Sequence, residues 1–250
     1  MALAFGTVFP FQRVTLTPNE LATGSLADNL ATPSLRRKMI TRHADEQRVY
    51  TATMLKRGRN VIDFVGIVGC NLLGDATVML LNNNRIIETL ILTVDDSRRV
   101  FVATVRTRSA VDEVRIAFPQ TDEGGRLECA RVVTGRLVEL NAQPARVNVF
   151  NSLLGFAPTR EGLQDGAAAI GVWRTMQIQW EKLRDGQRDE IETVVLEAGE
   201  YGTVMVNDDD VWIYGQLGGG QEGGGGLNIA EERFSKLINA SLTIRETLVV

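Results

Sequence analysis

Between Val49 and Val149 the chain passes through short apolar runs rich in Val, Ile and Thr, each closed by Gly, Asn or Asp. The runs are Val61–Gly69, Thr77–Leu81, Ile86–Val94, Val100–Val105, Val114–Phe118 and Cys129–Leu140, with the polar turn Asn82-Asn83-Asn84 after the second. β-branched residues lose side-chain freedom in helices and pack well on a pleated surface. Strands that follow each other without helical spacing between them predict an antiparallel sandwich of about 100 residues. Ahead of it, Pro10, Pro18 and Pro33 interrupt any regular pattern, and residues 1–48 read as an irregular arm.

The second half has a different grammar. Asn151–Gly171 holds Gly155, Pro158, Gly162, Gly166 and Gly171 and reads as a linker. From Trp173 to Trp180 apolar and polar residues alternate, the signature of a half-buried strand. Ile191, Val194, Val195 and Ala198 then share one helical face, with acidic residues in the first turns and Gly199 as a stop. Tyr201–Val206, Val211–Leu217 and Ile238–Arg245 are further strands. The expected class is therefore mainly β: an N-terminal antiparallel jelly-roll sandwich within residues 1–150, a linker at 151–171, and a small β-sandwich with one α-helix at 172–250.

Of 250 residues, 44% are hydrophobic, enough for one large core or two smaller ones. No apolar run approaches the roughly 20 residues of a membrane span, and the start lacks the basic and apolar regions of a secretory leader, so neither is expected. Charge is split. Residues 1–150 carry 19 Lys and Arg against 15 Asp and Glu; residues 151–250 carry 8 against 16. Such asymmetry fits two units with different neighbours. The basic residues of the first half are scattered, and sequence-specific nucleic-acid binding is not expected.

The residue types that carry chemistry are sparse. Cys70 and Cys129 sit in strand-like segments and read as buried thiols. His43 is the only histidine, no CxxC occurs, and no nucleophile turn accompanies the histidine. A metal, a cofactor and a catalytic residue are all expected to be absent. Arg36-Arg37-Lys38 reads as a solvated run. Asp208-Asp209-Asp210 lacks the spacing of a calcium loop and reads as a solvated turn. Gly215–Gly226 contains eight glycines but no lysine, so it is not a phosphate loop. Gly218, Gly219, Gly220, Gly223, Gly224, Gly225 and Gly226 instead form either a hairpin tip or a loop that orders against a neighbouring subunit.

Two segments carry a resemblance. Asp63-Phe-Val-Gly-Ile-Val-Gly-Cys-Asn-Leu-Leu-Gly-Asp-Ala-Thr-Val resembles phage structural proteins with a galactose-binding-like jelly roll, through Asn71-Leu72 and Ala76-Thr77-Val78. Asn29-Leu30 is similar to a loop of that family, and Ala130-Arg-Val-Val-Thr-Gly-Arg-Leu to its late strand. Trp173-Arg-Thr-Met-Gln-Ile-Gln-Trp-Glu-Lys-Leu, the acidic helix and the closing Ala240-Ser-Leu-Thr-Ile-Arg-Glu resemble the hub domain of phage distal tail and minor tail proteins. Distal tail proteins place the hub first; here the order is reversed.

The resemblance implies a non-enzymatic virion protein at the tail tip or baseplate, assembled in the host cytoplasm. Its partners would be further copies of itself in a cyclic ring, hexameric in one version, and the tail tube, hub and tape-measure proteins. The acidic second half suits a channel wall that repels DNA, with Asp208, Asp209, Asp210, Glu231 and Glu232 facing the lumen. The alternatives are a carbohydrate-binding module for host surface glycans and a capsid decoration protein. Against the glycan reading, residues 1–150 hold no Trp and one Tyr, Tyr50, where sugar sites use aromatic platforms.

Overall fold

A computed structural model describes residues 3–32, 37–42, 49–72, 74–93, 100–119, 126–153, 172–199, 204–208, 211–217, 228–231 and 238–246. In chain order the strands are β1 (Ala4–Val8), β2 (Phe11–Thr17), β3 (Met39–Ile40), β4 (Tyr50–Asn60), β5 (Phe64–Cys70), β6 (Ala76–Asn82), β7 (Arg85–Leu92), β8 (Val100–Thr104), β9 (Val111–Phe118), β10 (Glu128–Glu139) and β11 (Arg146–Leu153). Then come β12 (Val172–Leu183), helix α1 (Asp185–Gly199), β13 (Val204–Asp208), β14 (Val211–Leu217), β15 (Asn228–Glu231) and β16 (Ile238–Glu246). A 3-10 turn spans Ala27–Ala31. The chain is mainly β with one helix among the described residues, and its first half is a jelly-roll-type sandwich.

The smaller sheet has the order β2-β4-β9-β6-β7. Its inner face packs on β10, β5 and β8 around Met54, Val78, Val114, Ile116, Phe118, Ile67, Phe101 and Val132, all buried. Alternation builds this layer: along β9, Val111, Glu113, Val114, Ile116 and Phe118 are buried while Asp112, Arg115 and Ala117 are only partly so. The β6–β7 hairpin turns at Asn83 and Asn84, whose φ angles of 51° and 61° lie in the left-handed region that asparagine tolerates.

The larger sheet runs β11-β12-β16-β14-β13-β1-β10-β5-β8 without a break, with β15 on β16 and β3 on β10. The strands of the second half thus continue the jelly roll's own sheet. The splice is β1, which pairs with β10 on one side and β13 on the other. Here the prolines mislead: Pro10 and Pro18 lie just outside β1 and β2 rather than inside irregular chain, because proline at a strand end removes no ladder hydrogen bond. The close fit depends on glycine. A Cβ on Gly135 would fall 2.0 Å from the Thr7 carbonyl oxygen, and one on Gly6 would fall 2.9 Å from Met205 Cβ.

Helix α1 packs on β1, β13 and β16, and its Ile191 and Val194 join the core cluster of Leu3, Phe5, Trp180, Val204, Val206 and Ile244. A third cluster, Phe64, Val68, Val133, Met205 and Tyr214, brings β13 and β14 against the outer face of the jelly roll. Strand β11 spans Asn151–Leu153, where the sequence suggested the linker begins; the rest of that segment, 154–171, lies outside the described residues. Strand β15 occupies part of what reads as loop, since Asn228–Glu231 is too short for a pattern to register.

Candidate functional site

Three places in the described residues have chemistry beyond packing. The first is a groove of about 380 Å³ formed by the chain between β2 and β3. Its wall includes Thr23, Gly24, Ser25, Asn29, Arg37 and Lys38. Local hydrogen bonds fix its shape. Ser25 Oγ accepts the Ile40 N–H at 2.7 Å and donates to the Lys38 carbonyl at 3.5 Å. Asn29 Nδ2 donates to that carbonyl at 3.0 Å. Lys38 Nζ stands 3.6 Å from Glu128 Oε2, across from β10. Among the described residues, hydroxyls, an amide and two cations line the space, and no carboxylate does. Arg37 and Lys38 come from the run that reads as merely solvated; Arg36 lies outside the described residues.

The second is Lys56. It points inward from β4, is 4% exposed, and its Nζ has no hydrogen-bond partner among the described residues. The ammonium lies 4.8 Å from the ring centre of Phe9, a cation–π contact. Burial lowers its pKa to about 7. Phe9 also lines a cavity of about 150 Å³ with Val8, Pro10, Phe11, Ala31, Arg131 and Val132. Burial likewise lowers Arg131 to about 10, and its guanidinium sits 5.3 Å from the Tyr214 ring. Lys56 continues the inward phase of Tyr50, Ala52 and Met54 along β4, which breaks down only beyond it, near Gly58.

The third is the outer edge of β11. Among the described residues β11 pairs with β12 alone. Consecutive strand residues face opposite sides, yet both Val149 (44%) and Phe150 (48%) are exposed. The β7 edge of the smaller sheet likewise exposes Ile86 (57%) and Ile91 (65%); there the Glu88 carboxylate accepts the N–H groups of Arg106 and Thr107 at 3.1 and 2.7 Å.

The residues singled out in the sequence fare as follows. Cys70 and Cys129 are free thiols set opposite each other on β5 and β10. Gly218, Gly219, Gly220 and Gly223–Gly226 lie outside the described residues, as do His43, Asp209, Asp210 and Glu232. Asp208 ends β13 and Glu231 ends β15; their side chains are outside the description. No group of three or more His, Cys, Asp or Glu able to hold a metal occurs among the described residues. No described helix is long and apolar enough to cross a membrane.

No family model matches the sequence, and no curated protein matches it. Among solved structures, the neighbours include lectin and carbohydrate-binding modules. One is the family 32 carbohydrate-binding module of C. perfringens NanJ in complex with galactose, at 13% identity and a TM-score of 0.43, covering 52% of this chain and 98% of that one. Another is the lectin domain of lectinolysin complexed with Lewis B antigen, at 12% identity and a TM-score of 0.42, covering 50% and 92%. A third is a Streptococcus pneumoniae fucose binding module, at 12% identity and a TM-score of 0.40, covering 50% and 90%.

Proposed function

We propose that this chain is a non-enzymatic binding protein whose jelly-roll half takes a carbohydrate in the groove at Thr23–Asn29 and Arg37–Lys38. The observation that carries the reading is the groove itself: about 380 Å³, held open by the Ser25 and Asn29 hydrogen bonds, with hydroxyl, amide and cationic groups converging on it. That volume lies in the range of small-molecule sites. Sugars present rows of hydroxyls, which such groups satisfy. Two of the solved neighbours named above are complexes with galactose and with Lewis B antigen and the third is a fucose binding module, and the proposal extends that property to this chain. Tyr50 is buried and the described part of this half has no Trp, so no aromatic platform adds stacking. Affinity is therefore expected to be weak, in the millimolar range, and useful only when multiplied by several copies. A glycan array probed with labelled full-length chain tests this. Retention of a related set of sugars, lost in the Thr23→Ala, Arg37→Ala double variant, is the expected result; a blank array contradicts it.

A second reading is the ring-forming component of a phage tail tip, with the virion as its location and no requirement for a sugar. What favours it is that β11 pairs on one side only among the described residues, with Val149 and Phe150 exposed, a surface on which another chain can add a strand. Rings arise from heterologous contacts between identical subunits. Mass photometry of the purified chain separates the readings: a closed oligomer supports the ring, and a monomer at micromolar concentration contradicts it.

A further inference from the structure

We propose that Cys70 and Cys129 are a redox-modification site, closing a cross-strand disulfide between β5 and β10 when the protein meets a small-molecule disulfide such as oxidised glutathione. The two residues are direct partners in the antiparallel ladder. The next pair along it is bonded through the backbone, the Asn71 N–H donating to the Glu128 carbonyl at 3.1 Å. In an antiparallel ladder bonded and non-bonded pairs alternate, and the non-bonded kind brings Cα atoms to about 4.5 Å. That separation lies inside the range a disulfide spans. The Cys129 Sγ is held in place by donating to the Arg131 carbonyl at 4.0 Å.

Asn71 holds this register. Its Oδ1 accepts the Glu128 N–H at 2.8 Å and its Nδ2 donates to the Arg126 carbonyl at 2.8 Å, fastening the end of β5 to the start of β10. Met39 of β3 flanks Cys129 on the other side. Access is unequal. Cys129 is fully buried, whereas Cys70 is partly exposed at the sheet's end. Cys70 is thus the attacking thiol and Cys129 the resolving one.

The step balances as follows. The Cys70 thiol loses its proton, and the thiolate attacks one sulfur of oxidised glutathione; that S–S bond breaks and one glutathione thiolate leaves. The Cys129 thiol loses its proton in turn and attacks Cys70 Sγ in the mixed disulfide, expelling the second glutathione. The protein gives up two protons and two electrons, and oxidised glutathione becomes two reduced molecules. Burial, and then the contact with Cys129, push the Cys70 thiol well above its usual value, so exchange is slow at neutral pH and quickens as pH rises. The bond would stay open in a reducing cytoplasm and close outside it.

The test is equilibration of the full-length chain in glutathione buffers of graded ratio at two pH values, read by intact mass and by non-reducing peptide mapping. The expected result is loss of two hydrogens, a peptide linking Cys70 to Cys129, faster closure at higher pH, and a Tm rise of about 5–15 °C from closing a long loop. Asn71→Ala, which loosens the register without touching sulfur, should shift closure to more oxidising buffer. Two thiols that stay free in oxidised glutathione, a glutathione adduct that never resolves, or a link to a second chain would overturn the proposal.

Discussion

The Trp180 indole N–H donates to the Ala142 carbonyl oxygen at 3.1 Å, inside the core under α1. Ala142 follows β10 and Trp180 lies in β12, so one buried hydrogen bond ties the end of the jelly roll to the second half. Trp180→Phe removes the donor, leaves a buried carbonyl unsatisfied and opens space beside it. We expect a loss of about 2–4 kcal/mol, read as a lower urea midpoint with an unchanged slope. A variant as stable as the parent would show that the carbonyl finds another partner.

Gly135→Ala tests the splice of the long sheet. The added methyl would meet the Thr7 carbonyl and the Phe64 ring, both part of the β1–β10 seam. Backbone cannot swing aside as a side chain can, so the cost should reach about 3 kcal/mol or more. Amide exchange should then accelerate in β1 and β13 before β4 and β9. Uniform acceleration in all four would argue that the splice does not hold the second half in place.

Lys56 makes a pH prediction whose sign follows from its lowered pKa. Between about pH 7 and its unfolded value near 10.5, the unfolded chain holds a proton at Lys56 that the folded chain has released. Stability therefore rises with pH across this window, and the cost of the buried ammonium is fully present below it. Lys56→Met should be more stable than the parent by about 1–3 kcal/mol at pH 6. The advantage should shrink steadily up to pH 10. An advantage that does not change with pH would mean that apolar packing, not charge, sets the difference.

Phe150→Lys addresses the β11 edge. A lysine on an edge strand blocks strand addition without touching the core. If the chain self-associates, this variant should raise the dissociation constant at least about tenfold in sedimentation, while Ile91→Lys on β7, at the edge of the other sheet, should not. Equal effects of both would remove β11 as the contact.

Much of this architecture was legible in the sequence because strands announce themselves by alternation. Trp173–Trp180 and Ile238–Arg245 alternate cleanly, and both are strands. The spacing of Ile191, Val194 and Val195 gave a helix that ends at Gly199. Strand β1 was hidden because its burial has no period: Ala4, Phe5, Gly6 and Val8 are all buried, with sheet on both sides and core on both faces. Its role as a splice depends on residues some 130 and 200 positions away, which no local window contains. The groove was hidden for the opposite reason. Thr23, Ser25 and Asn29 are ordinary loop residues, and only folding sets them beside Lys38. Lys56 shares the inward phase of Tyr50, Ala52 and Met54, but a single lysine on an apolar face carries no signal of what it does there.

The glycan proposal stands or falls most directly on where a sugar touches. Amide chemical-shift mapping of the full-length chain, titrated with the best-retained sugar from the array, reads this residue by residue. Shifts that saturate at Thr23, Ser25, Asn29 and Lys38, with β11 and α1 unmoved, are the predicted result. Shifts confined to another surface, or none up to tens of millimolar sugar, would contradict it.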